Sequence, residues 1–346
     1  MLGLAEHPPL PLLKSDFVVT SSVVFIVSQP RAGSTLLQTM LSRHDDVHAP
    51  GEAWMMLPLV HAIAGSRRDV QSPYDQCLAD DAVGEFVREN LSGGWSEMQA
   101  EIGRAAARIY EAARVRAGAS VLIDKTPRYY WIIEDLLSLI PDCRIILLRR
   151  NPLAVLSSIM ETWTRRTRVG FLKDYRGDLL EAPPRIAAAM SIQDDRIHSL
   201  RYEDLVRDPG QHLTQLQSFI GLHPVDGLQH YGSAERRTYG DPKGVHQHAA
   251  AQLDSIEKYL QRAAMRATDW RLMDDYRRHL GRDLLHRLGY DDDALKRQLD
   301  AVKPLGTALA PTLSSQVSPR PAEPRRSAIR LRRVAADIVT KWAKAA

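Results

Sequence analysis

Val23 to Leu37 read VVFIVSQPRAGSTLL. An apolar run, Val23–Val27, stops in a Ser-Gln-Pro-Arg-Ala-Gly-Ser-Thr turn, and the Leu-Leu-Gln-Thr-Met-Leu run beyond it has helical character. The pattern predicts a buried strand that turns sharply into a helix over Ser34–Leu41. Such a turn presents free backbone N–H groups at the positive end of the helix dipole, which makes an anion site. Gly33 lets the backbone come close to the anion, Ser34 and Thr35 add hydroxyls, and Arg31 adds a fixed positive charge. Ala32 and Leu36 complete the loop. A Walker A motif is absent, because Ser28 stands at its first glycine and Ser34 at its lysine. The stretch therefore points to an anion held by Arg31 and the backbone.

A second stretch repeats the arrangement. Ile145 to Ser158 read IILLRRNPLAVLSS, again a strand, a turn and a helix, with Pro152 in the helix's first turn, where its missing N–H costs nothing. Arg150 closes the strand and Ser158 follows about two helical turns on, so a guanidinium and a hydroxyl can converge on a second phosphate. Further strands are expected at Val121–Ile123, Arg144–Leu148 and Ser199–Tyr202, and a helix over Tyr130–Leu139. Asp208-Pro209 is a helix start and Gly221 a stop. Residues 60–118 read as mainly helical, and 163–195 carry few strand signals. Strands alternating with helices imply an α/β fold with a central parallel sheet.

The chain has 346 residues, 44% hydrophobic and 25% charged, enough for one large domain with appendages. Its two cysteines, Cys77 and Cys143, are too few for a disulfide framework. No signal peptide is expected at the N-terminus, and no stretch approaches the roughly 18 apolar residues of a membrane span, so the expected compartment is the cytoplasm. The formal net charge of +4 sits in the tail, where Arg320, Arg325, Arg326, Arg330, Arg332, Arg333, Lys341 and Lys344 outnumber Glu323 and Asp337. The basic balance thus says little about the body, and no nucleic-acid partner is expected. The organisation reads as an N-terminal extension over 1–20, a catalytic domain over 21–292, a linker over 293–327 and a basic amphipathic helix over 328–346. That helix is a candidate contact for an anionic membrane surface or a protein partner.

With these motifs in order, the chain resembles the PAPS-dependent sulfotransferase superfamily, whose donor is 3'-phosphoadenosine 5'-phosphosulfate and whose product is PAP. The Pro30–Thr35 loop resembles the family's 5'-phosphosulfate loop, and Arg150 and Ser158 match its 3'-phosphate arginine and serine. Arg201-Tyr202-Glu203-Asp204-Leu205 resembles a strand ending in Tyr-Glu-Asp-Leu, and Gly240-Asp241-Pro242-Lys243 a late loop over the nucleotide. The resemblance implies a P-loop-like three-layer fold with helical insertions. It also implies nucleotide contacts from Pro30, Arg31, Ala32, Gly33, Ser34, Thr35, Leu36, Arg150, Ser158, Tyr202 and Lys243. The Pro-Arg first loop and the Gly51-Glu52 pair are closer to tyrosylprotein sulfotransferases and related bacterial enzymes than to the cytosolic branch. That likeness implies Glu52 as catalytic base, with Arg31 and Lys125 at the leaving group. His48 is the rival base, since the cytosolic branch uses histidine. Asp124 is a candidate salt-bridge partner for Lys125.

Sulfuryl transfer to an alcohol needs a base at the acceptor oxygen, donors at the leaving phosphate and in-line positioning. No metal is expected, since cationic side chains can neutralise the leaving group and His246 and His248 lack a third ligand. The acceptor stays open between a small molecule, a glycan, a lipid headgroup and a peptide. Arg165, Arg166 and Arg168 are either a reception patch for an acidic acceptor or a solvated helix end. A non-catalytic nucleotide-binding relative and a nucleotide-dependent kinase are the competing readings.

Overall fold

In a computed structural model that describes residues 23–64, 76–163, 175–232 and 252–304, five parallel strands form one sheet. They are β1 (Val23–Ser28), β2 (Val47–His48), β3 (Val121–Asp124), β4 (Arg144–Arg149) and β5 (Ile197–Arg201), in the order β2-β3-β1-β4-β5. Every residue of β1 and β3 is buried. Parallel strands covered on both faces carry continuous apolar runs, which is why these two were legible as sequence. The register sets Val24 opposite Arg144 and Phe25 opposite Ile145 and Asp124.

Alternation along β1 sends successive side chains to opposite faces. Val24 and Ile26 join Leu37, Met40 and Leu41 of helix α1 (Ser34–Leu41), together with Leu205, Leu213 and Leu216 of the helices Tyr202–Arg207 and Pro209–Phe219. Phe25 meets Tyr110 and Tyr129 edge-on, at centroid distances of 5.7 Å and 5.8 Å. Helices α2 (Met56–Ala64), α3 (Gln76–Asn90), α4 (Gly94–Arg116), α5 (Ile133–Leu139) and α6 (Pro152–Thr162) follow in chain order. Full burial of each large apolar side chain contributes about 1.5–3 kcal/mol.

The expected boundaries need four corrections. Strand β5 begins at Ile197, before the Ser199 expected, and Tyr202 opens a helix instead of closing the strand. The polar residues of Ile-His-Ser-Leu-Arg weaken the strand signal there. The expected helix over Tyr130–Leu139 is a 3-10 turn, Pro127–Trp131, followed by α5. Strand β2 is two residues long, too short for periodicity to reveal. At the start of the linker expected over 293–327, Asp292–Ala301 form a helix. Asp291 caps it by accepting from the Ala294 N–H, Leu295 and Leu299 are buried, and Trp270 donates its indole N–H to the Leu299 carbonyl at 2.8 Å. The N-terminal extension, Cys77's side chain, Arg165–Arg168, the late loop with Lys243, His246 and His248, the rest of the linker and the basic tail helix lie outside the described residues. Among the described residues, no helix is long and apolar enough to cross a membrane.

Candidate active site

Apart from Ser158, which lies within α6, the candidate groups within the described residues stand on or just after the carboxyl ends of the parallel strands. Strands β1 and β4 are neighbours at the centre of the sheet, and the chain leaves them toward opposite edges. That crevice is where open α/β sheets bind ligands. The loop after β1 and the turn after β4 meet there.

Arg31 donates its Nε–H to Ser158 Oγ at 3.2 Å, and Arg150 donates from Nη1 to the Arg31 carbonyl at 3.2 Å. The two anion-binding turns read separately from the sequence are thus one continuous cradle. Arg150 also donates from Nη2 to the Ser255 carbonyl at 2.7 Å and lies 4.2 Å over the Tyr202 ring. Its Nε is buried without a hydrogen-bond partner among the described residues. Tyr202 contacts the Ser255 hydroxyl at 2.7 Å. Ser255 carried no signal in the sequence, since it lies in a 3-10 turn far from any motif.

Two non-glycine residues with positive φ occur among the described residues, Arg31 at +72° and Trp54 at +56°, and both are in this site. Each costs on the order of 1–3 kcal/mol, strain that persists where the surroundings hold it. Gly33 has φ +99°, and a Cβ there would stand 2.4 Å from Cδ2 of the Tyr202 ring. The ring therefore closes one wall of the cradle against a position only glycine fits. Gly33→Ala is expected to lower the free energy of unfolding by about 2–4 kcal/mol, from overpacking and αL strain together. A urea midpoint equal to that of the wild type would contradict this.

Glu52 follows β2 and meets Lys125, which follows β3. Lys125 Nζ donates to Glu52 Oε1 at 2.8 Å, and the Trp54 indole donates to Oε2 at 3.0 Å. Lys125 is fully buried, while the Glu52 side chain is 15% exposed. Gln38 of α1 steadies this loop by donating to the Pro50 carbonyl at 2.5 Å. His48 sits in the edge strand β2, beside Leu122 in register.

The expected pairing of Asp124 with Lys125 is corrected. Consecutive residues at the end of a strand point to opposite faces. Asp124 faces the core, where its carboxylate accepts from the Tyr110 hydroxyl at 2.6 Å, the Tyr129 hydroxyl at 2.9 Å and the Thr126 hydroxyl at 2.8 Å. Burial pushes its carboxyl above the usual range, while these donors pull the other way. Tyr129 in turn accepts from the Met56 N–H, and Thr126 Oγ1 accepts from the Trp54 N–H at 3.2 Å. Asp124 thereby fixes the loop that carries Glu52 and Trp54. Asp124→Asn sets an amide N–H against hydroxyl donors and is expected to cost about 1–3 kcal/mol in urea unfolding. An unchanged midpoint would show that the hub is dispensable.

Asp178, which carried no sequence signal, and Glu203, which stands in the Arg201–Leu205 motif, complete the surroundings. Asp178 accepts bidentately from Arg128, at 2.9 Å and 2.7 Å, and from the Tyr130 hydroxyl at 2.9 Å. Its backbone carbonyl accepts from Gln29, at the foot of the cradle. Glu203 accepts from the Asn151 N–H at 2.8 Å and the Tyr290 hydroxyl at 2.9 Å. It thereby fixes the start of α6, which carries Ser158. Among the described residues, no group of three or more His, Cys, Asp or Glu is arranged to hold a metal ion.

Comparisons with known proteins place the chain in a family. Nodulation protein NoeE of Sinorhizobium fredii is 30% identical over 305 residues, covering 81% of this chain and 68% of that protein. Protein-tyrosine sulfotransferase A of Caenorhabditis elegans is 24% identical over 61% of this chain and 53% of its own length. A solved sulfotransferase domain from the curacin biosynthetic pathway aligns at 24% identity and a TM-score of 0.43, over 68% of this chain and 89% of that domain. The profile of the sulfotransferase family matches residues 23–226. That span holds all five strands and the Arg31, Glu52, Lys125, Arg150, Ser158 and Tyr202 positions, and the chain belongs to the sulfotransferase family.

Proposed function

We propose that this chain transfers the sulfuryl group of PAPS to a hydroxyl acceptor, with Glu52 as general base. The observation that carries the reading is the joined cradle, in which Arg31 reaches Ser158 while Arg150 holds the Arg31 carbonyl. The residues suit an anionic nucleotide in two further respects. The buried Nε of Arg150 lacks a partner among the described residues, and Gly33, with no Cβ, lets the Tyr202 ring close against the loop. Arg31 and the free N–H groups of the α1 N-terminus would hold the 5' end, and Arg150 and Ser158 the 3'-phosphate. Tyr202 walls the cradle.

PAPS, when bound, supplies a sulfuryl group on a phosphate leaving group. Glu52 takes the proton from the acceptor O–H as that oxygen forms its bond to sulfur and the bond from sulfur to the phosphate oxygen breaks. Arg31 and Lys125 supply positive charge where the phosphate oxygen becomes anionic, and they are in place before the reaction, so little reorganisation is needed. Lys125 and the Trp54 indole orient Glu52 by donating to its Oε1 and Oε2. Lys243 of the late loop is proposed as a further nucleotide contact.

Calorimetry with PAP and with ATP tests the donor, and transfer of label from ³⁵S-PAPS tests the reaction. PAP is expected to bind at least tenfold more tightly than ATP. Equal affinity for the two would remove the reading.

A further inference from the structure

The turn that carries Arg31 is strained, and it is held from far along the chain. Gln29-Pro30-Arg31-Ala32 form a β-turn, closed by the Ala32 N–H, which donates to the Gln29 carbonyl at 3.2 Å. Proline at the second position and a positive φ at the third are marks of a type II turn, whose third residue is ordinarily glycine. Here that residue is Arg31, at φ +72°. Such a backbone persists only where the surroundings over-determine it. The turn also sets the direction in which the Arg31 guanidinium leaves the loop toward Ser158.

The hold on this turn comes from a residue 149 positions away. The buried side chain of Gln29 donates from Nε2 to the Asp178 carbonyl at 2.9 Å. A carbonyl inside a helix is ordinarily closed by an N–H of the same helix, and the sequence from Gly177 to Pro184, GDLLEAPP, prevents this. Pro183 and Pro184 have no N–H. Ala182 gives its N–H to the Gly177 carbonyl, five residues back, and Gly177–Glu181 wind as a π-helical turn. The carbonyls of Asp178 and Leu179 are thereby left to partners outside the helix. Gln29 takes the first, and the Tyr276 hydroxyl takes the second at 2.7 Å. The Asp178 carboxylate clamps the same turn to the segment after β3, through Arg128 and the Tyr130 hydroxyl. Both the Asp178 side chain and the Tyr276 ring are buried, so the π turn is a fixed point beneath the donor loop.

We infer that Gln29 and Asp178 are positioning residues for the donor site. The π turn anchors Gln29, Gln29 holds the strained turn, and the turn aims Arg31. The inference rests on the sulfuryl-transfer reading and adds to it two residues that act through Arg31.

Calorimetry with PAP on the full chain tests it. Gln29→Met keeps the length of the side chain and removes its N–H donor. Asp178→Asn leaves one acceptor oxygen where the carboxylate has two, so the amide cannot hold Arg128 and Tyr130 together. Each variant is expected to bind PAP at least threefold more weakly than wild type. Because Asp178 acts through Gln29, the double variant should bind within twofold of the weaker single variant. A general loosening of the fold would instead multiply the two losses, as independent sites do. Urea midpoints show that each variant is folded when titrated. A loss below threefold in either single variant, or a double variant more than twofold weaker than both, would overturn the inference and leave the sulfuryl-transfer reading standing. Should one single variant fail to fold, the other decides by the same threefold limit. Failure of the wild type to bind PAP would instead remove that reading and this inference with it.

Discussion

Glu52→Gln is expected to lower the rate of sulfuryl transfer about 10²–10⁴-fold, the range for losing a positioned general base. PAP affinity should not fall, since Glu52 contacts Lys125 and Trp54, and its neutralisation leaves the positive charge of Lys125 to the nucleotide's phosphate. An amide oxygen can still accept from Lys125, but the amide nitrogen then faces the Trp54 indole N–H, and one hydrogen bond is lost at about 1 kcal/mol. The larger cost is electrostatic. Lys125 is fully buried and would lose its counter-charge, and breaking such a pair costs about 3–5 kcal/mol. The variant should therefore unfold at lower urea, and PAP calorimetry on the same sample shows whether it is folded when assayed. A kcat within fivefold of wild type, on folded protein, would exclude Glu52 as the base and return His48 to the question.

Arg150→Ala is expected to weaken PAP binding about 10²-fold and to remove most of the preference for PAP over ATP. A hydrogen bond to a charged group contributes about 1.5–3 kcal/mol, and each 1.4 kcal/mol is a factor of ten. The substitution also strips the guanidinium from the Tyr202 ring and releases the carbonyls of Arg31 and Ser255. The effect should fall on nucleotide affinity more than on kcat at saturating donor. Arg150→Lys should recover part of the loss, because an ammonium keeps the charge and loses the planar fork. An unchanged PAP affinity by calorimetry, or a fall in kcat alone, would show that Arg150 has no hand in holding the nucleotide.

Both predictions depend on residues legible in the sequence and on contacts that were not. The turn after β1 could be read because an apolar strand must stop and a helix must start within a few residues. Helix α1 begins and ends where the sequence pattern placed it, at Ser34 and Leu41. Pro152 and Asp208-Pro209 announced helix starts in the same local way, and Asp208 does cap its helix by accepting from the Gln211 N–H. Glu52 and Lys125 could be named only by resemblance, since a loop glutamate and a strand-end lysine have no local signature. Asp178, Ser255, Glu203 and Arg128 acquire their roles from partners distant in the chain, and no spacing rule reaches that far. Asp124, a candidate partner for Lys125, instead accepts from Tyr110, Tyr129 and Thr126 for a geometric reason: adjacency in sequence at a strand end means opposite faces of the sheet.

What the sequence by itself determined is the α/β class and the two strand-turn-helix connections, because these follow from hydrophobic periodicity and from proline and glycine close together in the chain. What only the tertiary structure decided is that the two turns join and that Glu52 pairs with Lys125. Parallel pairing aligns the carboxyl ends of β1, β2, β3, β4 and β5 along one edge of the sheet. Residues from five separate loops are gathered there by strand order, which depends on side-chain packing across the whole sheet and is not written in any local stretch of chain.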